Sequence, residues 1–397
     1  MSKDTPSVYA TRVHRDWQAV DAHAWDALLA AQAHPHPFWQ WAHLKALRDS
    51  GSAVESTGWC EHILTLSDDQ GLAAACVLYL KSHSRGEFVF DWAWADAHER
   101  FGLPYYPKWV SAVPFTPVPG ARLLARDAQA REALARALTD WVDASGLSSA
   151  HVLMLSADDE AALSRAGWLV RDGVQFHWQR PEGLGPCTLD DHLWSLRREK
   201  RKNIRQERRR VAEAGVQVEV LRGTEIKEHH WAFFDRCHDT TYAAHGSRPY
   251  LKPDFFRQTQ ATWGAQWWMA WAHREGRPVA VALLVDDVDN RVLYGRHWGC
   301  VEAVDCLHFE ACYYRPLDWA LAHGYRRFEG GAQGVHKMAR GLMPVRTASA
   351  HWIREPRLRA AIEQAVQREA QQVDTFVDDL KDRSPYKPLG PTLTAGA

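Results

Sequence analysis

The sequence predicts an α/β protein with mixed sheets, built from two copies of one unit in tandem and joined by a basic helix. Two pairs of signatures carry the duplication. Asp140-Trp141-x4-Gly146 closes a predicted helix in the first half, and Asp318-Trp319-x4-Gly324 closes one in the second. Gly167-x9-His177-Trp178-x-Arg180 is matched by Gly341-x9-His351-Trp352-x-Arg354. Ordered signatures with equal internal spacing point to an internal repeat. The order of elements supplies the third observation: each copy reads strand, strand, strand, helix, strand, helix, strand, an α/β unit. The expected boundaries are 1–186 for the first unit and 187–355 for the second, which begins with the basic helix. A C-terminal helix at 356–383 and a flexible tail at 384–397 follow.

Taken in order, residues 16–50 read as two helices around His34-Pro35-His36-Pro37, with Trp17, Trp25, Leu28 and Leu29 at helical spacing. Strands at 62–66 and 72–80 flank the turn Ser67-Asp68-Asp69-Gln70-Gly71. Residues 81–108 are dense in aromatic, histidine and charged residues. A strand at 108–115, the proline-rich turn 116–120, a helix at 127–145, a strand at 150–155, a helix at 158–166 and a strand at 173–178 complete the first half.

Between the halves, residues 197–210 read RREKRKNIRQERRR, with nine Lys or Arg against two Glu. Leu193, Leu196, Ile204, Val211 and Ala214 share one helical face. The other faces are either a solvated surface or a presentation of cations, Arg201 and Arg205 among them, to phosphates. A strand at 216–221, helices at 224–244 and 253–263, and a three-strand meander at 269–298 follow. A helix at 307–323, a strand ending Arg326-Arg327-Phe328-Glu329 and a short helical piece lead to the last strand and the terminal helix.

Composition excludes several classes. Hydrophobic residues make up 46% and charged residues 24%, with a net charge of -1, so affinity for polyanions has to come from local clusters. The first residues, Met-Ser-Lys-Asp-Thr, carry no signal-peptide core, and no apolar run approaches the roughly 18 residues of a membrane span. The seven cysteines have no C-x-x-C spacing, which fits a reducing compartment, and the expected location is the cytoplasm. The twenty tryptophans are either core or the walls of a groove.

The candidate site centres on residues 324–354. A strand ends in Gly330-Gly331, and His336, Lys337 and Arg340 follow within ten residues. Glycine at a strand end lets backbone amides approach a ligand, and a helix start favours negative charge. A charged surface turn is the plain alternative. The repeat separates fold from function here. Lys337 stands where the first copy has Leu163, His336 faces Ala162 and Arg340 faces Ala166, so the fold does not require these cations. Residues 81–108 have no counterpart in the second meander. Asp91, Trp92, Trp94, Tyr105, Tyr106 and Lys108 form either an acceptor groove or a packed lid. His229, Cys237, His238 and His245 lack compact metal-site spacing, and Cys306, His308, Glu310 and Cys312 alternate by two where a helix is expected, so no metal is expected. No nucleophile elbow, Walker loop or dinucleotide fingerprint occurs.

The segments YLKSHSRGEFVFDWAWADAHERFGLPYYPK, VPFTPVPGARLL, KRKNIRQERRRVAEAG and FEGGAQGVHKMARGLMPVRTASAHW resemble the FemAB-like family, bacterial proteins of peptidoglycan biosynthesis or recognition, over about residues 12–386. That family is similar to the Fem ligases, which consist of two GNAT-type (N-acetyltransferase) domains and move an aminoacyl group from tRNA to an amine of a cell-wall precursor. The resemblance implies tandem GNAT-like domains and an N-acyltransferase. Its co-substrate is acyl-CoA or aminoacyl-tRNA, its acceptor is an amine, and it has no permanent cofactor. tRNA is a possible partner and DNA is not. GNAT enzymes carry a Q/R-x-x-G-x-G/A loop, from which Pro117-Val118-Pro119-Gly120-Ala121-Arg122 and Arg296-His297-Trp298-Gly299-Cys300-Val301 depart. His336-Lys337 lies where the Fem ligases have a Phe-Lys element, which carries over Lys337 alone. The long helical arm of those ligases has no counterpart.

The expected catalytic group is Lys337 with Glu310, His297 and Glu329 as candidates for proton transfer. Arg296, Gly330, Gly331, His336, Arg340, Arg201 and Arg205 are expected at the donor. The competing class is a non-catalytic module of degenerate transferase fold that binds a peptidoglycan precursor or RNA.

Overall fold

The structure, a computed structural model, describes residues 9–331 and 334–387. The chain forms two compact units. One comprises residues 1–174, 249–264 and 346–374, and the other 175–248, 265–345 and 375–397. The interleaving differs from contiguous intervals ending at 186 and 355. The end of the first half's last strand belongs to the second unit, and most of the chain's last strand belongs to the first. The hydrophobic pattern of a strand records that it is buried, but not in which sheet.

In the first unit the strands are β1 (Ala10–His14), β2 (Trp59–Asp68), β3 (Gly71–Lys81), β4 (Lys108–Ser111), β5 (Leu124–Ala125) and β6 (Ser149–Val152). The second unit takes the end of β7 (Leu169–Gln179), then β8 (Val216–Arg222), β9 (Trp267–Arg274), β10 (Arg277–Asp287), β11 (Val292–Cys300) and β12 (Arg327–Glu329). The last strand, β13 (Met343–Ile353), supplies residues 346–353 to the first unit. The first unit's strand order is β1-β2-β3-β4-β6-β13, and the second's is β8-β9-β10-β11-β12-β7. In each the only parallel pair in that path is the fourth with the fifth strand, β4 with β6 and β11 with β12. The two orders are the same, as an internal duplication requires.

The repeated signatures have a physical cause. Gly146 and Gly324 end their helices at φ of 74° and 71°, the left-handed conformation that terminates a helix. The arginine of the second signature then covers the carbonyls left free at those helix ends. Arg354 Nε donates to Leu147 O at 2.9 Å, and a terminal nitrogen reaches Asp143 O. Arg180 Nε donates to Tyr325 O at 2.7 Å, and its Nη2 reaches Ala320 O and Leu321 O, both at 2.8 Å. One residue type at one spacing therefore satisfies the same orphan groups in each unit.

Local signals place most elements. Asp127 caps the helix Ala128–Ala144 through Ala130 N at 2.8 Å, and Ser156 caps Ala157–Arg165. Trp17, Trp25, Trp39, Trp59, Trp178, Trp231 and Trp268 are fully buried and Trp94, Trp109, Trp168, Trp263, Trp267 and Trp271 nearly so, which assigns most of the twenty tryptophans to the core. The basic segment is a short helix Leu189–Leu193 and then Arg198–Glu213, with Ile204 and Val211 inward. No described helix is long and apolar enough to cross a membrane.

Three expectations change. The helix at 307–323 widens into a π-turn at Glu310–Tyr314 just before Pro316, which has no N–H to offer the preceding turn. The piece at 335–340 is a 3-10 stretch of six residues, too short for an α-helix N-terminus that would hold an anion. Residues 384–387 are pinned, not loose: Tyr386 is half-buried, bridges Leu196 and donates its hydroxyl to Gly341 O at 2.7 Å. The rest of the expected tail, 388–397, and the extreme N-terminus lie outside the described residues. The sequence reading also passes over β1 and the helix Trp92–Arg100.

Candidate active site

A cavity of about 300 Å³ opens in the second unit where β11 and β12 part. The two strands pair from Val292 to Tyr294 against Arg327 to Glu329, and then Gly295 and Gly330 allow close backbone approach. A methyl group on Gly295 would sit 3.2 Å from Glu329 O, and one on Gly330 would sit 2.7 Å from a Leu342 methyl. Across β10 the register slips: Leu284 faces Gly295 and Leu283 faces His297, leaving Arg296 as the extra residue of a β-bulge. Bulges re-aim side chains and free backbone groups from the ladder, often beside active sites.

Lys337 reaches this cavity from the 3-10 turn. It is 3% exposed, and its Nζ donates to Gly331 O at 2.8 Å. No carboxylate among the described residues pairs with it. Burial pulls its ammonium down to about 8, within reach of neutral pH. His308, facing the cavity from the helix start, is held to about 4 by burial and then by His336, Arg340 and Lys337. His297 falls well below the ordinary histidine value through burial, His238 and Arg296. His336 is lowered in the same direction by burial, Arg340 and Lys337, and its Nε2 lies 3.4 Å from the Tyr313 hydroxyl. Burial lowers Arg296 to about 10, opposed by Tyr242 and Glu329. At neutral pH the lining therefore offers two cations and three neutral imidazoles. Burial raises the Cys312 thiol, which keeps it protonated and unsuited to attack.

The structure divides the sequence candidates. Lys337, His297, Arg296, Gly330, Gly331 and His336 line one cavity. Glu310 does not. Its carboxylate is held by Arg208 at 3.0 and 3.1 Å and faces a separate cavity of about 650 Å³, also lined by Arg205, Arg209 and Arg315. Glu329 is tied to Arg327 at 2.9 Å and stands 3.8 Å from His177 Nε2. With both carboxylates engaged by arginine, the expectation that either serves as base in the first cavity is corrected. Arg340 is likewise committed: its guanidinium lies 3.5 Å over the Phe309 ring and 3.1 Å from Glu207. Arg201 stacks on Trp194 at 4.2 Å, and Arg205 pairs with Asp190 at 3.1 Å.

The expected acceptor groove is instead packed interior of the first unit. Lys108 has no exposed surface. Its Nζ donates to Ser84 Oγ and Glu87 at 2.8 Å, and to Asp91. Tyr105 donates to Asp91 at 2.6 Å, its oxygen lies 3.1 Å from His151 Nε2, and His151 Nδ1 meets His351 Nδ1 at 2.8 Å. Trp94 packs edge-on against His351. A buried polar chain of this kind stabilises a lid; it does not expose a groove. Only Trp92 and Tyr106 of the six retain appreciable surface, and Tyr106 bonds Ser84 at 2.8 Å.

Sequence reasoning missed Trp298, His308 and Tyr313 as lining residues. His308 and Cys312, four apart, were legible as one helical face, but the π-turn that swings Tyr313 into the cavity carries no local signal beyond Pro316. Among the described residues, no group of three His, Cys, Asp or Glu is placed to hold a metal ion.

The fold has relatives among solved structures. FemX matches with a TM-score of 0.54 at 10% identity over 89% of this chain and 100% of its own. The L-PGS of Bacillus licheniformis matches with a TM-score of 0.53 at 12% identity over 88% of this chain and 96% of its own. No curated protein matches the sequence. These matches show a shared fold, and in this chain the two units repeat one strand order. The sequence profile of the FemAB-like family, described as peptidoglycan biosynthesis/recognition, matches residues 16–388, and the chain belongs to that family.

Proposed function

We propose that this protein is an N-acyltransferase whose reacting carbonyl lies in the cavity between β11 and β12. The observation that carries this reading is Lys337, buried against the parting strands without a carboxylate partner among the described residues, beside the bulge at Arg296. An acceptor amine attacks the carbonyl carbon of a thioester or ester donor, acyl-CoA or aminoacyl-tRNA. The carbonyl oxygen becomes an oxyanion, met by the Lys337 ammonium and by backbone N–H groups at the bulge. Collapse expels the thiolate or alkoxide of the donor, and the new amide forms. A neutral imidazole, His308 or His297, takes the proton that the attacking ammonium must lose, directly or through water. That proton then passes to the leaving group.

FemX and L-PGS lend the reading their fold, the family description supports a peptidoglycan precursor as acceptor, and we take the reaction to be cytoplasmic. The arginines around the larger cavity suit donor phosphates, whether of coenzyme A or of tRNA. Salt separates those donors: tRNA binding through this surface falls steeply with ionic strength, and coenzyme A binding falls far less. Lys337→Ala lowers transfer by roughly 10²–10³ while the melting curve stays near wild type. Undiminished transfer by that variant ends the proposal.

A further inference from the structure

The described lining of the cavity is basic, and its buried lysine meets only a neutral carbonyl. Arg296 and Lys337 both border it, and no Asp or Glu is among its described lining residues. The carboxylates nearest in sequence are each consumed elsewhere: Glu310 by Arg208, Glu329 by Arg327, and Glu207 by Arg340 and the Tyr314 hydroxyl. The Lys337 Nζ has one described partner, a neutral carbonyl. A buried ammonium in this state is costly until an anion joins it. A substrate cation beside it adds repulsion that little solvent screens.

We infer that the substrate group seated in this cavity carries a carboxylate, held by Lys337 and Arg296, and that a free α-ammonium is excluded. This rests on the reading of the cavity as the acyl site, and it narrows the donors to acyl groups ending in a carboxylate. Unmodified aminoacyl groups are disfavoured, because their ammonium finds no acid among the described lining residues. The size permits it: about 300 Å³ accommodates a short dicarboxylic acyl chain.

Two arms test it on the full chain. In the first, saturation-transfer NMR compares N-acetylglycine, which has a carboxylate and no ammonium, with glycinamide, which has the reverse. N-acetylglycine binds, glycinamide does not, and Lys337→Gln weakens the former at least tenfold. Equal binding of both, binding of neither, or binding indifferent to Lys337→Gln overturns the inference. In the second arm, N-acetylcysteamine thioesters of succinate, butyrate and β-alanine are offered with a panel of small amines. Succinyl transfer exceeds β-alanyl transfer at least tenfold in kcat/KM. A β-alanyl donor that is used equally well overturns the inference. Absence of transfer from all three while N-acetylglycine still binds through Lys337 removes the transferase reading and leaves the carboxylate site standing.

Discussion

Each unit buries a lysine near its parallel strand pair, and the two are held in opposite ways. Lys108, on β4 of the first unit, is bonded to Glu87, Asp91 and Ser84. Burial alone lowers a lysine, but those carboxylates outweigh it and raise Lys108 above its ordinary value. Lys337, beyond β12 of the second unit, meets a single carbonyl and falls to about 8. The ends of the parallel pairs differ as well. In the first unit the chain closes on itself, with Gly120 N donating to Met154 O at 3.0 Å beside buried Val118 and Ala121. In the second unit the corresponding parting of β11 and β12 is a cavity. The position equivalent to Lys337 is Leu163, fully buried in the first unit's apolar core. One copy pairs its buried lysine with carboxylates, and the other leaves its buried lysine without one among the described residues.

Substitution of the two lysines breaks this comparison most sharply. Lys108→Met leaves Glu87 and Asp91 buried without a cation and costs about 3–5 kcal/mol in denaturant unfolding. Lys337→Met removes an uncompensated charge, so it stabilises the protein by about 1–3 kcal/mol in the same assay. Its transfer rate falls by roughly 10²–10³, the scale of a lost oxyanion donor. Stability lost at Lys337 and kept at Lys108 reverses the account.

The histidine pair of the first unit gives a pH signature. Burial, then Lys108, hold His151 at about 3, and burial, then His151, hold His351 well below its ordinary value. Both stay neutral in the native state while the unfolded chain takes up protons below about 6.5. Their contribution to stability is therefore full above pH 6.5 and lost as pH falls toward 3, by up to about 1.4 kcal/mol per pH unit for each. Glu87, pushed to about 7 by burial, works the other way between 4.5 and 7. The difference between wild type and His151→Gln/His351→Gln isolates the pair, and the variant has the shallower loss between pH 6.5 and 5. The smallest effect sharpens the symmetry: Arg180→Ala and Arg354→Ala each cost about 1 kcal/mol through the same uncapped helix end.

The fold was legible because its repeated signatures have local causes. A left-handed glycine and an arginine over free carbonyls need the same residues wherever they occur, so Gly146, Gly324, Arg180 and Arg354 announce themselves. Strand membership was not legible, because the residues of β7 and β13 are equally suited to either sheet. At the site, Lys337 stood out against Leu163 in the repeat, and Arg296, His297 and His336 came with it. Glu310 and Glu329 misled because a carboxylate's sequence position does not reveal the arginine that claims it. The segment 81–108 misled for the same reason, since only the structure brings Lys108, Asp91 and His151 into one closed network.

The claim that the second unit holds an uncompensated lysine is measured most directly by NMR titration of ε-¹³C-labelled lysines, with Lys337 assigned by its absence from Lys337→Gln. The account predicts a Lys337 midpoint near 8 in the free protein, with Lys108 shifted in the opposite direction, above its ordinary value. A Lys337 midpoint at about 10.4, the value of a solvated lysine, contradicts it.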